Sequence, residues 1–103
     1  MLRKLDYELT QADIDYKRFG IGEKNSGFFL PSSYTGRKTF PPFPFDLETD
    51  ISSIKTTIRD RRSSYRIGKG LKPWFKAHCK LNEGDKVEFT EIESMKKYGL
   101  KIA

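Results

Sequence analysis

The sequence predicts a mainly β fold, a barrel or sandwich of seven short strands with two short helices at its ends. Three observations carry this reading. Short runs of apolar residues alternating with polar ones recur along the chain, Gly, Pro, Asn and Asp punctuate them, and only two stretches have helical spacing. The 103 residues suit one domain over 1–103, able to hide roughly 60–65% of its unfolded surface. With 36% apolar and 14% aromatic residues against 33% charged, the composition is globular rather than disordered.

Leu5, Tyr7 and Leu9 alternate with Asp6, Glu8 and Thr10, as in a strand with one buried face. Thr10 can cap a first helix, with Asp13 three residues on. Phe28-Phe29-Leu30 reads as a second strand stopped by Pro31. Phe40-Pro41-Pro42-Phe43 suggests a rigid loop over an open barrel end. Phe43, Phe45 and Leu47 form a third strand, which Pro44 confines to an edge or a bulge. Ile54, Thr56 and Ile58, then Tyr65 and Ile67, predict a hairpin with Asp60-Arg61-Arg62-Ser63 at its tip. Leu71, Trp74, Phe75 and His78 recur at i, i+3, i+4 and i+7, the stripe of a two-turn helix that tolerates Pro73 in its first turn. That helix should end before the turn Asn82-Glu83-Gly84-Asp85, which feeds a strand through Val87 and Phe89. Tyr98, Leu100 and Ile102 supply the last strand.

Charge is spread unevenly over this framework. From Lys55 to Lys76 eight basic residues accompany Asp60 alone, whereas from Lys80 to Glu93 five acidic residues outnumber two lysines. One basic and one acidic face follow, and a basic face on a small domain is the footprint of a polyanion binder. A solvated surface that serves solubility is the plainer alternative. Cys79 is the single cysteine and His78 the single histidine, so no internal disulfide forms and two ligands are too few for zinc. Adjacent on a helix they point about 100° apart, poor geometry for a nucleophile and its base, and both are expected at the core or its boundary. No cofactor and no metal are expected. No apolar run approaches the roughly 20 residues that span a bilayer, and MLRKLDYELT lacks a signal peptide's apolar region. The expected location is intracellular, in the cytoplasm (nucleoid) of a prokaryote or the nucleus of a eukaryote, with no membrane partner.

Taken in order, LTQADIDYKRFGI (residues 9–21), FFLPSSY (28–34) and RRSSYRIGKGLKPWFKAHCKLNEGDKVEF (61–89) resemble the DNA-binding pseudobarrel domain. This is the B3 domain of plant transcription factors, shared with effector domains of some restriction endonucleases. The resemblance rests on a Leu-Thr-x-x-Asp start, an aliphatic-Pro strand end, a Ser-Tyr strand, a Trp-bearing helix, a Leu-x-x-Gly-Asp turn and a Val-x-Phe strand. Two departures stand out: the usual Gly-Trp pair is spread from Gly70 to Trp74, and the segment from Arg18 to Phe28 is long.

The resemblance implies a seven-stranded open pseudobarrel whose two loops grip the major groove of double-stranded DNA. In this chain one jaw would hold Tyr16, Lys17 and Arg18, extending to Lys24 and Asn25. The other would hold Arg61, Arg62, Ser63, Ser64 and Tyr65. The chemistry of these residues agrees with that placement. Arginine's planar fork can bond guanine O6 and N7 together, and a hairpin tip fits a groove about 12 Å wide. Arg61 and Arg62 are the foremost base or phosphate contacts, with Arg59, Lys55 and Lys69 as flanking phosphate contacts. Arg59 can equally pair with Asp60 or another carboxylate across the hairpin. The aromatic residues fall mostly on inward positions; Tyr16 and Tyr65 are the two that could contact nucleic acid. Trp74, Phe75 and Leu71 should anchor the hairpin.

No paired-carboxylate motif is present, so the chain is expected to bind rather than to cut. Two alternatives stay open: the specificity or effector part of a restriction enzyme, with a nuclease domain or other protein as partner, and a binder of single-stranded nucleic acid or RNA.

Overall fold

Seven strands and three short helices follow one another along the described residues, 2–30, 43–61 and 64–103 of the computed structural model; of 23, 26, 60, 61 and 64 only the backbone is described. The strands are β1 (Lys4–Glu8), β2 (Phe19–Gly20), β3 (Phe43–Glu48), β4 (Ser53–Arg61), β5 (Ser64–Ile67), β6 (Lys86–Glu93) and β7 (Lys97–Ile102). The helices are α1 (Gln11–Tyr16), α2 (Gly22–Ser26) and α3 (Lys72–Ala77). They build one sheet in the order β1-β6-β7-β3-β4-β5-β2, with β3 and β7 parallel and the other neighbours antiparallel. Tyr7 and Phe19, from opposite ends of that order, meet edge to face with ring centroids 5.9 Å apart. The sheet is therefore curled into an open barrel around its apolar face. No helix among the described residues is long and apolar enough to cross a membrane.

Alternation chose the inner face as the sequence predicts. Tyr7, Phe45, Leu47, Ile54, Ile58, Ile67, Val87, Phe89, Tyr98 and Leu100 are buried, and Trp74 and Phe19 are fully enclosed. Trp74 packs on Phe19 and Phe75, with centroids 5.8 and 5.1 Å away, and its indole Nε1–H donates to Asp50 Oδ1 at 3.1 Å. His78 Nε2 lies 2.9 Å from Asp50 Oδ2. The turn between β3 and β4 is thus pinned to α3. The Asn82–Asp85 turn is tied back to the end of β1, where Leu9 N–H donates to the Asp85 carbonyl at 2.8 Å and Gly84 N–H to that of Leu9 at 2.9 Å.

Several expectations need correction. Phe28-Phe29-Leu30 is not a strand: it follows α2 as a turn. Its apolarity serves the core instead, because Phe29 is fully buried against Phe45, Phe89 and Tyr98, and the Tyr98 hydroxyl donates to the Phe28 carbonyl at 3.0 Å. The missing strand is β2, only two residues long and too short to show a period. A third, five-residue helix, α2, joins the two expected ones. Cys79 is exposed and Ile102 is 41% exposed, both past the reach of the core. Pro31, the Phe40–Pro42 part of the expected loop, Arg62 and Ser63 lie outside the described residues.

The barrel's seam is closed by side chains. Among the described residues no main-chain ladder joins β1 to β2. Thr10 and Asp13 form the capping box of α1: Thr10 Oγ1 accepts from Asp13 N–H at 3.2 Å and Asp13 Oδ2 from Thr10 N–H at 3.0 Å. The same carboxylate, fully buried, also accepts from the Tyr7 hydroxyl at 2.5 Å, Gly20 N–H at 2.9 Å and Arg18 Nη1 at 2.8 Å. Four donors satisfy one buried carboxylate, which meets the condition for burying a charge. Burial, together with its bond to Asp13, pushes the Tyr7 hydroxyl pKa upward.

Candidate nucleic-acid interface

The inward set Ile54, Thr56 and Ile58 leaves Lys55, Thr57 and Arg59 of β4 on the outer face, and Tyr65 and Ile67 leave Arg66 of β5 there too. Register then brings Arg59 directly opposite Arg66. Two like charges facing each other across a ladder oppose folding by about 0.2–1 kcal/mol. Lys69 follows in the turn after β5, while Tyr16 and Arg18 approach from the end of α1. Together Tyr16, Arg18, Thr57, Arg59, Arg66, Gly68 and Lys69 line an open concavity of about 930 Å³.

The cations in this concavity differ in what neutralises them. Arg18 is tied to buried Asp13, and its side chain retains only 15% exposure. It lies in a trough made by two glycines: a Cβ on Gly68 would come within 3.0 Å of Arg18 Cβ, and one on Gly20 within 3.0 Å of Arg18 Nη1. Among the described residues Arg59, Arg66 and Lys69 form no ion pair, and the buried Nε of Arg66 has no hydrogen-bond partner. Positive charge gathered in a concavity that no carboxylate lines among the described residues favours an anion.

The expected contact residues do not all meet here. Tyr16, Arg18, Arg59 and Lys69 do. Lys17 does not: it caps α1 in the left-handed conformation (φ 55) and lines a separate groove with Ile14, Phe75 and Lys76. Lys55 lies further along β4, in register with Asp46 of β3. Lys24 and Asn25 sit on α2, Lys24 exposed and Asn25 half-buried. Tyr65 corrects its assignment as a groove contact, because its side chain, 4% exposed, belongs to the core. The backbones of Arg61 and Ser64 close the β4–β5 ladder, which places the ends of the expected hairpin tip. Arg66 and Thr57 were not singled out by sequence. Their positions on the polar parity of two adjacent strands were the available signal, and only register shows what that parity brings together.

No family model and no curated protein sequence matches the chain. Solved structures do. The N-terminal domain of Helicobacter pylori LlaJI.R1 aligns with TM-score 0.67 and 19% identity, covering 97% of this chain and 86% of that one. The Arabidopsis FUS3–DNA complex gives TM-score 0.65 and 17% identity over 97% and 96% of the two chains. A hypothetical Arabidopsis thaliana protein gives 0.64 and 13% over 100% and 91%. The chain has the B3-like pseudobarrel fold.

Proposed function

We propose that this chain binds double-stranded DNA through the basic outer face of β4 and β5. The observation that carries the reading is the Arg59–Arg66 pair, two cations held in opposed register with Lys69 nearby and no acidic partner among the described residues. A polyphosphate would supply the missing counter-charge, and guanidinium groups suit it because they bond two oxygens at once. The likeness in fold to a protein solved with DNA supports the same reading. Arg61, Arg62, Ser63 and Ser64 would carry sequence-reading contacts into the major groove. Lys17, Lys24 and Asn25 would act from the other jaw, and Lys55, with Arg59 and Lys69, would serve as a flanking phosphate contact. The role is binding, without catalysis.

Fluorescence anisotropy on labelled duplex and single-stranded DNA across a salt series tests this. On duplex, log K should fall with log salt at about −0.9 per phosphate contact. Arg59→Ala/Arg66→Ala and Arg61→Ala/Arg62→Ala should each give a line shallower by about one to two contacts. Failure of the parent to bind duplex overturns the proposal, and preference for single strands moves it to the stacking alternative.

Likeness to a domain that forms the N-terminal part of a larger protein favours a second reading of the same activity. DNA binding would then serve a nuclease or other effector in another domain or chain. Recovery of DNA cleavage only when such a partner is added would identify that arrangement.

A further inference from the structure

Tyr16 is unlike the other groups around the basic concavity. Among the described residues it is the one large apolar surface lining the concavity, and it is 72% exposed. Exposure on this scale usually belongs to side chains free to move. Here the Arg18 guanidinium lies over the ring, 5.4 Å from its centroid. Arg18 itself is held by fully buried Asp13 and by the Gly20 and Gly68 trough. A chain of contacts therefore runs from the barrel seam to the ring, covering one side and leaving the other open. An aromatic side chain has two rotatable bonds and loses little entropy when it makes contact.

Resting on the DNA-binding reading, we infer that Tyr16 is a specificity-determining residue that contacts thymine methyl groups in the major groove. Among the described residues the other lining side chains are cationic or small and suit phosphates or hydrogen bonds. Base faces in a duplex are stacked out of reach, and the apolar group that projects into the major groove is the 5-methyl of thymine. An uncharged contact of this kind adds discrimination between bases and leaves the salt dependence unchanged.

The test pairs a change in the protein with a change in the DNA. Parent, Tyr16→Ala and Tyr16→Phe are titrated by anisotropy against a mixed-sequence duplex made with thymine and against the same duplex made with uracil, which lacks the methyl. The parent should prefer the thymine duplex by about three- to fourfold, the discrimination that burying one methyl provides. Tyr16→Phe should keep that preference and Tyr16→Ala should lose it, with equal salt slopes for all three. Tyr16→Ala should melt close to the parent, because so exposed a ring contributes little to the core. Equal loss of affinity on both duplexes would overturn the inference in favour of a sugar contact. A Tyr16→Ala variant that still prefers thymine as the parent does would also overturn it. Arg59→Ala/Arg66→Ala, run alongside, keeps the two proposals separate: its shallower slope together with an unchanged thymine preference in Tyr16→Ala sinks this inference and leaves DNA binding standing.

Discussion

The two ends of the sheet obey one alternation of inward and outward side chains and treat charge in opposite ways. At the β1-β6-β7 end like charges also meet in register, Asp6 opposite Glu88, but cations gather on the carboxylates: Lys4 and Lys101 both approach Glu88, at 3.7 and 3.5 Å, and Arg3 pairs with Glu91. The bond to Glu91 raises the Arg3 pKa further. At the β4-β5 end Arg59 faces Arg66. A fold needs outward residues to be polar and gains when facing charges differ in sign. Paired charge is thus what folding accounts for, and the Arg59–Arg66 pair, without an acidic partner among the described residues, is the feature on which the DNA-binding proposal rests.

The strongest challenge to this contrast is Trp74→Ala, which removes the side chain beneath α3 and the turn that Asp50 pins. It should lower fold stability by about 3–5 kcal/mol in denaturant titration. A variant that unfolds like the parent would show that α3 does not anchor the basic end. A smaller effect, of opposite sign at one end, sharpens the contrast. Arg59→Thr should leave stability unchanged or raise it by about 0.2–1 kcal/mol, by relieving the repulsion across the ladder, while weakening duplex binding. Lys101→Ala, at the paired end, should lower stability by about 0–1 kcal/mol and leave binding as it was. If both substitutions change stability in the same direction, the two ends do not differ as described.

The smallest effect is one of pH. Desolvation pushes the Asp50 carboxyl up, but hydrogen bonds from His78 and Trp74 outweigh it and hold its pKa below the usual carboxylate value. A depressed folded pKa gives stability that is present above the unfolded value, near 4, and is lost as pH falls through the folded one. Melting temperature should therefore drop more steeply below about pH 4 for the parent than for Asp50→Asn. Parallel acid limbs would mean that Asp50 contributes nothing through its charge.

What the sequence disclosed depended on how local the cause was. The Thr10–Asp13 cap and the Leu71–Trp74–Phe75–His78 stripe are short-range patterns, and both stand as read. The other bonds of Asp13 were illegible, because Tyr7 and Gly20 are brought to it by the curl of the sheet. Phe28–Leu30 misled because an apolar run has the same composition whether it crosses a sheet or plugs its end. Tyr65 carried two conflicting signals, an inward parity shared with Ile67 and a setting among arginines, and parity decided its place. The importance of Arg66 waited on register, which no spacing along one strand can give.

The side-chain seam has a consequence for self-association. An open barrel keeps two free edges, and a bare edge strand is a template on which a second chain can pair. In this fold one edge is two residues long and the other five, with Lys4, Asp6 and Glu8 alternating along it. One buried carboxylate binds those edges together. Replacing Asp13 with Ala should therefore free both edges, and the expected first sign is aggregation at high protein concentration, read by light scattering.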